Sequence, residues 1–137
     1  MEPDTEQAPK AERKPFVLAV DDAPVILKSI TFALKKDYEV FTLTDPTMVE
    51  KVLRQVTPDI FLLDYRMPEL SGFELISIIR SFEKHKDTPI IFLTSMGTND
   101  HVAEAIKLGA CDYMTKPFKE DVLREKVAKH IARTKSS

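Results

Sequence analysis

Three short, almost purely apolar runs, each opening near a proline, constrain this chain more than anything else in it. They are Phe16-Val17-Leu18-Ala19-Val20 after Pro15, Ile60-Phe61-Leu62-Leu63 after Pro58, and Ile90-Ile91-Phe92-Leu93 after Pro89. Runs this short and this apolar suit strands covered on both faces. A proline at the start of a strand removes no ladder hydrogen bond that the strand needs. Between the runs, apolar residues recur at helical spacing, as in Ile26, Ile30, Leu34 and in Ile76, Ile79, Phe82, which predicts amphipathic helices. Two weaker strands, Glu39 to Leu43 and Cys111 to Thr115, and helices near Pro46 to Val56, Asn99 to Leu108 and Lys119 to Ile131 complete a βα unit repeated five times. Strict alternation with short connections implies a parallel sheet, right-handed crossovers and helices on both faces.

The two less apolar strands are the natural edges, because an edge strand is less buried than a central one. The expected fold class is therefore α/β: a flavodoxin-like doubly wound (βα)5 domain with parallel sheet order 2-1-3-4-5. At 137 residues the chain has the length of one domain, enough to bury roughly two-thirds of its unfolded surface. Apolar residues at 43% and charged residues at 31% belong to a folding chain rather than a disordered one. Residues 1–14 hold no large apolar side chain after Met1 and include Pro3 and Pro9, so they read as a flexible tail before a domain at 15–133, with a C-terminal tail at 134–137.

The net charge is −2 and Lys and Arg are scattered. No electrostatic footprint for nucleic acid or an anionic membrane results, and this chain alone is expected to bind neither. No apolar run approaches the ~18 residues of a membrane span. The start, MEPDTEQAPKAERK, lacks the apolar centre of a signal peptide, so a cytoplasmic location is expected. The single cysteine, Cys111, has no partner for an internal disulfide or a zinc site and reads as a small buried hydrophobe. His85, His101 and His130 read as isolated, solvated surface residues.

In a doubly wound sheet, ligands bind at the carboxyl ends of the strands, beside the switch point between strands 1 and 3. Strand 1 ends in Asp21-Asp22 and strand 3 in Asp64, so three carboxylates should cluster there. Like charges held together call for a raised pKa or a bound cation. Mg²⁺, typically held by one or two carboxylates, waters and phosphate oxygens, fits best. Strand 4 adds the hydroxyls of Thr94-Ser95 and strand 5 the ammonium of Thr115-Lys116-Pro117. A nucleophile, a metal and donors aimed at equatorial oxygens are what phosphoryl transfer needs, and a carboxylate nucleophile would give an aspartyl-phosphate.

VDD at 20–22, LLDYRMPELSG at 62–72, FLTS at 92–95 and DYMTKPF at 112–118 occur in order, each at a strand end. Together they resemble the four motif blocks of bacterial two-component response-regulator receiver domains of the chemotaxis-regulator type, over residues 16 to about 133. The resemblance implies Asp64 as phosphoacceptor, with Thr94 and Lys116 contacting the phosphoryl group. It implies Asp22, Asp64 and the Arg66 backbone carbonyl as direct Mg²⁺ ligands, with Asp21 acting through metal-bound water. Tyr113 would be the switch aromatic that turns inward when Thr94 moves, and a cis Lys116-Pro117 bond would fix Lys116 toward the site. Positions two residues beyond Asp64 and Thr94, here Arg66 and Met96, would tune dephosphorylation. A long cation and a bulky apolar side chain there should hinder attacking water and slow self-dephosphorylation.

The implied partners are a histidine kinase or histidine phosphotransfer protein and an unnamed downstream protein, bound through the face of the fourth helix, fifth strand and fifth helix. A phosphorylation-dependent dimer is compatible with this scheme. Such a domain is not an enzyme beyond catalysing its own phosphorylation and dephosphorylation. The chain ends soon after Lys116, so no effector domain is expected to follow, whether the receiver is stand-alone or excised.

Each feature also has a local explanation. Asp22 suits a helix N-cap with Pro24 in the first turn, Asp64 before Met67-Pro68 suits turn chemistry, and Lys116-Pro117 suits an ordinary strand exit. Tyr113 suits edge-strand packing. Gly72 and Gly109 read as backbone glycines, Gly109 at a helix C-terminus, and no G-x-x-x-x-G-K pattern offers a nucleotide loop. The mixed charges of Lys119, Glu120, Asp121, Arg124, Glu125 and Lys126 read as a solvated helix face. Two rival functions stand beside the switch. A haloacid-dehalogenase-type phosphatase needs an acid where Arg66 stands. An interaction module without the chemistry would not need Asp21, Asp22, Asp64, Thr94 and Lys116 together.

Overall fold

A computed structural model describes residues 14–67, 70–95, 103, 106, 107 and 109–135, excepting the side chains of 133–135. The elements are β1 (Phe16–Val20), α1 (Pro24–Leu34), β2 (Glu39–Leu43), α2 (Val49–Leu53), β3 (Ile60–Asp64), α3 (Gly72–Arg80), β4 (Ile90–Thr94), β5 (Asp112–Thr115) and a C-terminal helix (Glu120–Lys135). Ala103, Ile106 and Lys107 are helical, and the rest of the predicted 99–108 helix lies outside the described residues. So do residues 1–13, Met96 and His101.

All strand pairs are parallel, in the order β2-β1-β3-β4-β5. The edge strands are the less buried ones, as expected, while every residue of β3 and β4 is buried. Period-two alternation sorts the central side chains into two layers. Val17, Ala19, Ile60, Leu62, Ile91 and Leu93 pack with Leu27, Ile30 and Leu34 of α1 and Leu123, Val127 and Ile131 of the C-terminal helix. Leu18, Val20, Phe61, Leu63, Ile90 and Phe92 face the other way, onto Val49 and Leu53 of α2 and Leu75, Ile76 and Ile79 of α3.

Local chemistry sets the helix starts. Pro24 opens α1, whose N-cap is Ala23 and has no side-chain cap, so Asp22 does not cap this helix. Ser71 and Glu74 form a reciprocal capping box at α3: Ser71 Oγ accepts from the Glu74 N–H at 3.1 Å and Glu74 Oε1 from the Ser71 N–H at 2.9 Å. The predicted helix 46–56 is shorter than expected, a 3-10 turn at Pro46–Met48 followed by α2. Asp45 Oδ1 accepts from the Thr47 N–H at 3.0 Å, which stabilises the tighter turn. The C-terminal helix runs past the expected Ile131 to Lys135.

Three expectations are corrected. Cys111 is exposed, because it lies just before β5, outside the strand whose inward position is Met114. His85 is fully buried: its ring packs edge-on against Phe61 at 5.1 Å and its Nδ1 meets Thr88 Oγ1 at 2.9 Å. His130 is 3% exposed, because it shares the inward stripe of the C-terminal helix with Leu123, Val127 and Ile131. Gly109 has φ +122°, a backbone angle that favours glycine, and its N–H bonds Ile106 O at 3.0 Å. No described helix is long and apolar enough to cross a membrane.

Candidate functional site

The parallel register brings the strand ends to one rim. Val20 pairs with Leu63, Asp64 with Leu93, and Thr94 with Thr115, so the residues that follow β1, end β3 and β4, and follow β5 sit side by side. Backbone bonds continue the ladder beyond the strands, with the Tyr65 N–H on Leu93 O at 2.9 Å and the Lys116 N–H on Thr94 O at 2.8 Å.

Asp21, Asp22 and Asp64 converge as expected. Each offers a carboxylate oxygen, and these oxygens lie within 4.8 Å of one another. Asp21 is fully buried and Asp64 is 5% exposed, whereas Asp22 faces solvent. Asp21 Oδ1 also accepts from the Ala23 N–H at 2.9 Å, which ties it to the start of α1. Lys116 reaches in from the far side of the sheet, donating to Asp21 Oδ2 at 2.6 Å and to Asp64 Oδ1 at 3.1 Å. Its bond to Pro117 is cis.

Burial and the neighbouring Asp21 charge raise the Asp64 carboxyl to about 6, against the opposing pull of Lys116. For Lys116, burial alone works downward, but the Asp21 hydrogen bond and the two carboxylate charges outweigh it and hold the ammonium above its ordinary value. Three carboxylates against one ammonium leave an uncompensated negative charge at a partly buried rim.

The remaining predicted site residues take distinct places. Thr94 closes β4 on the same rim and is 6% exposed. Arg66 is exposed, with its N–H 3.4 Å from Asp64 Oδ1. Arg66, Asp22, Tyr65, Met67 and Ser71 line a cleft of about 470 Å³ beside the carboxylates. Tyr113 points outward on β5, 37% exposed, with Lys126 Nζ 6.0 Å from its ring centroid. Met96 lies outside the described residues. Sequence reasoning missed Arg80, which donates to three backbone carbonyls, of His85 at 2.8 Å, Thr88 at 2.7 Å and Gly109 at 2.5 Å. Nothing in a helix-terminal arginine marks it for such a role.

The family model "Response regulator receiver domain" matches residues 17–128. Protein RcaC of Microchaete diplosiphon is 32% identical over 121 residues, which cover 88% of this chain and 19% of RcaC. The chain thus spans under a fifth of that relative. Among solved structures, chemotaxis protein CheY4 of Vibrio cholerae has a TM-score of 0.82 at 29% identity, covering 85% of this chain and 98% of that one. The receiver domain of sensor histidine kinase PA1611 from Pseudomonas aeruginosa, with a magnesium ion coordinated in its active site cleft, has a TM-score of 0.79 at 28% identity, covering 87% and 98%. With the motif blocks on the strand ends and the sheet order in place, this chain belongs to the response regulator receiver domain family.

Proposed function

We propose that the chain is a phospho-accepting switch in which Asp64 receives a phosphoryl group from a histidine kinase or histidine phosphotransfer protein in a Mg²⁺-dependent step. The observation that carries this reading is the convergence of Asp21, Asp22 and Asp64 with Lys116 bridging two of them. An Asp64 oxygen attacks phosphorus, the bond from phosphorus to the donor's imidazole nitrogen breaks, and that nitrogen keeps the electron pair. Lys116, already 3.1 Å from Asp64, then pairs with the phosphoryl oxygens, and the Thr94 hydroxyl donates from the neighbouring strand end.

The residues fit a hard cation: adjoining strand ends supply oxygen donors, and their charge exceeds what Lys116 neutralises. Asp22, Asp64 and the Arg66 carbonyl would hold Mg²⁺ directly and Asp21 through water, and the magnesium ion in the active site cleft of the similar PA1611 receiver domain supports the choice of metal. Bound there, the ion supplies positive charge for the phosphoryl oxygens.

The output is binding rather than turnover on a substrate, and the chain catalyses only its own phosphorylation and dephosphorylation. Tyr113, Thr94 and the face of β5 and the C-terminal helix, with the fourth helix expected from the sequence, carry the switch, biasing a two-state equilibrium toward a form with altered partner affinity. Arg66 at the mouth of the cleft, with Met96, slows hydrolysis. The double variant Arg66→Asn with Met96→Glu should shorten the phosphoryl lifetime, and an unchanged or longer lifetime removes that role.

Intact mass after incubation with acetyl phosphate tests the central reading. A gain of one phosphoryl mass that requires Mg²⁺ and vanishes in Asp64→Asn supports it. No gain in any condition leaves a receiver fold that acts as a plain interaction module.

A further inference from the structure

At the opposite end of β5 from Lys116, a second chemical cluster has formed around the exposed Cys111. Its Sγ lies 3.5 Å from His130 Nδ1. On the other side of the ring, His130 Nε2 is 2.9 Å from Asp112 Oδ2, and the second oxygen of that carboxylate accepts from Lys126 Nζ at 3.0 Å. Nucleophile, base and orienting carboxylate therefore stand in line, supplied by the residue just before β5, the C-terminal helix and the first residue of β5.

The roles follow from hydrogen-bond logic. A carboxylate only accepts, so His130 carries a proton on Nε2 to donate to Asp112, and in the neutral imidazole Nδ1 is then the acceptor facing the thiol. Two hydrogen bonds and an ion pair hold Asp112: its Oδ1 also accepts from the Tyr113 N–H at 2.8 Å. Those bonds outweigh burial and keep its carboxyl below the ordinary range, so it remains an acceptor at neutral pH. His130 is 3% exposed and fixed in the core stripe, whereas Cys111 is open to solvent. An accessible thiol within reach of a base that a third group orients is an arrangement that activates a cysteine nucleophile.

A second charge acts on the sulfur. The Arg80 guanidinium, anchored on the Gly109 carbonyl two residues before Cys111, lies close enough for the two groups to interact electrostatically. Burial pulls that guanidinium below its ordinary value, while Cys111 and then Asp87 act in the opposite sense. The cluster is not a structural metal site, since the acidic rim is the place among the described residues where three ligand groups meet within reach of one ion.

We propose that Cys111 is a thiol-exchange site, reacting with small disulfides to form a mixed disulfide, with His130 as its base and Asp112 as the positioning residue. In the step, His130 Nδ1 takes the Cys111 proton and Sγ attacks one sulfur of the disulfide. A new S–S bond forms as the old one breaks, and the departing thiolate takes the proton from His130. Sulfur oxidation states balance across the two disulfides, and no other reactant is needed. The chain has one cysteine, so the bond formed is to an external thiol and every thiol signal reports Cys111.

The test is the rate of reaction of the native protein with 5,5′-dithiobis(2-nitrobenzoate), from pH 5 to 9, against the same chain unfolded in guanidinium chloride. The native wild type should react at least tenfold faster than the unfolded chain at pH 7. His130→Gln should bring the native rate down to the unfolded one, and Asp112→Asn should lower it severalfold and move the midpoint of the pH profile. Circular dichroism shows which variants fold. If His130→Gln does not, the native-to-unfolded ratio and the Asp112→Asn profile still decide. A native rate at or below the unfolded rate, or a folded His130→Gln with the wild-type rate, overturns the proposal.

Discussion

At the scale of single residues, charge and burial were legible in unequal measure. The three aspartates could be placed because each stands at the end of an apolar run, and a strand end in this topology has a known side of the sheet. His85 and His130 could not be placed in the same way, since a histidine has no fixed preference for core or surface. For His130 the helical spacing from Leu123 and Val127 held the missing signal. His85 sits in a 3-10 turn, where no periodicity exists to read. Its burial has a consequence for stability. Burial first, and the nearby Lys84 and Arg80 charges second, push the imidazole down from 6.5 to about 4, and its buried Nε2 has no hydrogen-bond partner. In the unfolded chain the ring takes up a proton at higher pH than in the fold, so stability is full above about 6.5 and is lost as pH falls toward 4. The loss amounts to about 3 kcal/mol. His85→Phe should remove that part of the acid sensitivity, and denaturant melts at pH 7 and pH 4.5 would show it. Equal losses in the two proteins would place the acid sensitivity elsewhere.

At the scale of elements, strands were read better than helices. Short apolar runs bounded by prolines leave little choice, whereas the segment from Pro46 to Val56 carried enough apolar residues for a helix but began with an Asp45-Thr47 turn that shortened it. The start of α3 illustrates how tightly element and sheet fit. A Cβ on Gly72 would overlap the ring of Phe92, a fully buried residue of β4, and the Gly72 N–H bonds Tyr65 O at 3.0 Å. Glycine is therefore required here for close approach, not for an unusual backbone angle. Gly72→Ala should destabilise the domain by about 1–3 kcal/mol despite alanine's better helix propensity. Urea unfolding of the variant measures this directly, and a neutral or stabilising result would mean that Phe92 yields more easily than a packed core residue should.

At the scale of the whole molecule, the sheet order was readable because the edge strands are the less apolar ones, and the rim of carboxylates follows from that order. Side-chain relations between distant elements were not readable, such as Arg80 with Gly109 or Cys111 with His130, because they depend on how helices lie over the sheet. If the acidic rim holds Mg²⁺ as proposed, the ion would offset the Asp21 charge that, after burial, raises the Asp64 carboxyl, so saturating ion should raise the melting temperature. At one hundred times its dissociation constant the ion adds about 2.7 kcal/mol. Asp22→Asn, which removes one carboxylate while leaving Asp21, Asp64 and Lys116 paired, should reduce that increment, as scanning calorimetry with and without the ion would show.

The most direct measurement locates the phosphoryl group itself. An aspartyl-phosphate is an acyl phosphate, and borohydride reduces it to homoserine, which survives digestion and peptide sequencing by mass spectrometry. After treatment with acetyl phosphate and Mg²⁺, homoserine should appear at position 64 and at no other aspartate. Homoserine at Asp21 or Asp22, or a phosphoryl group stable to borohydride on another side chain, would contradict Asp64 as the phosphoacceptor.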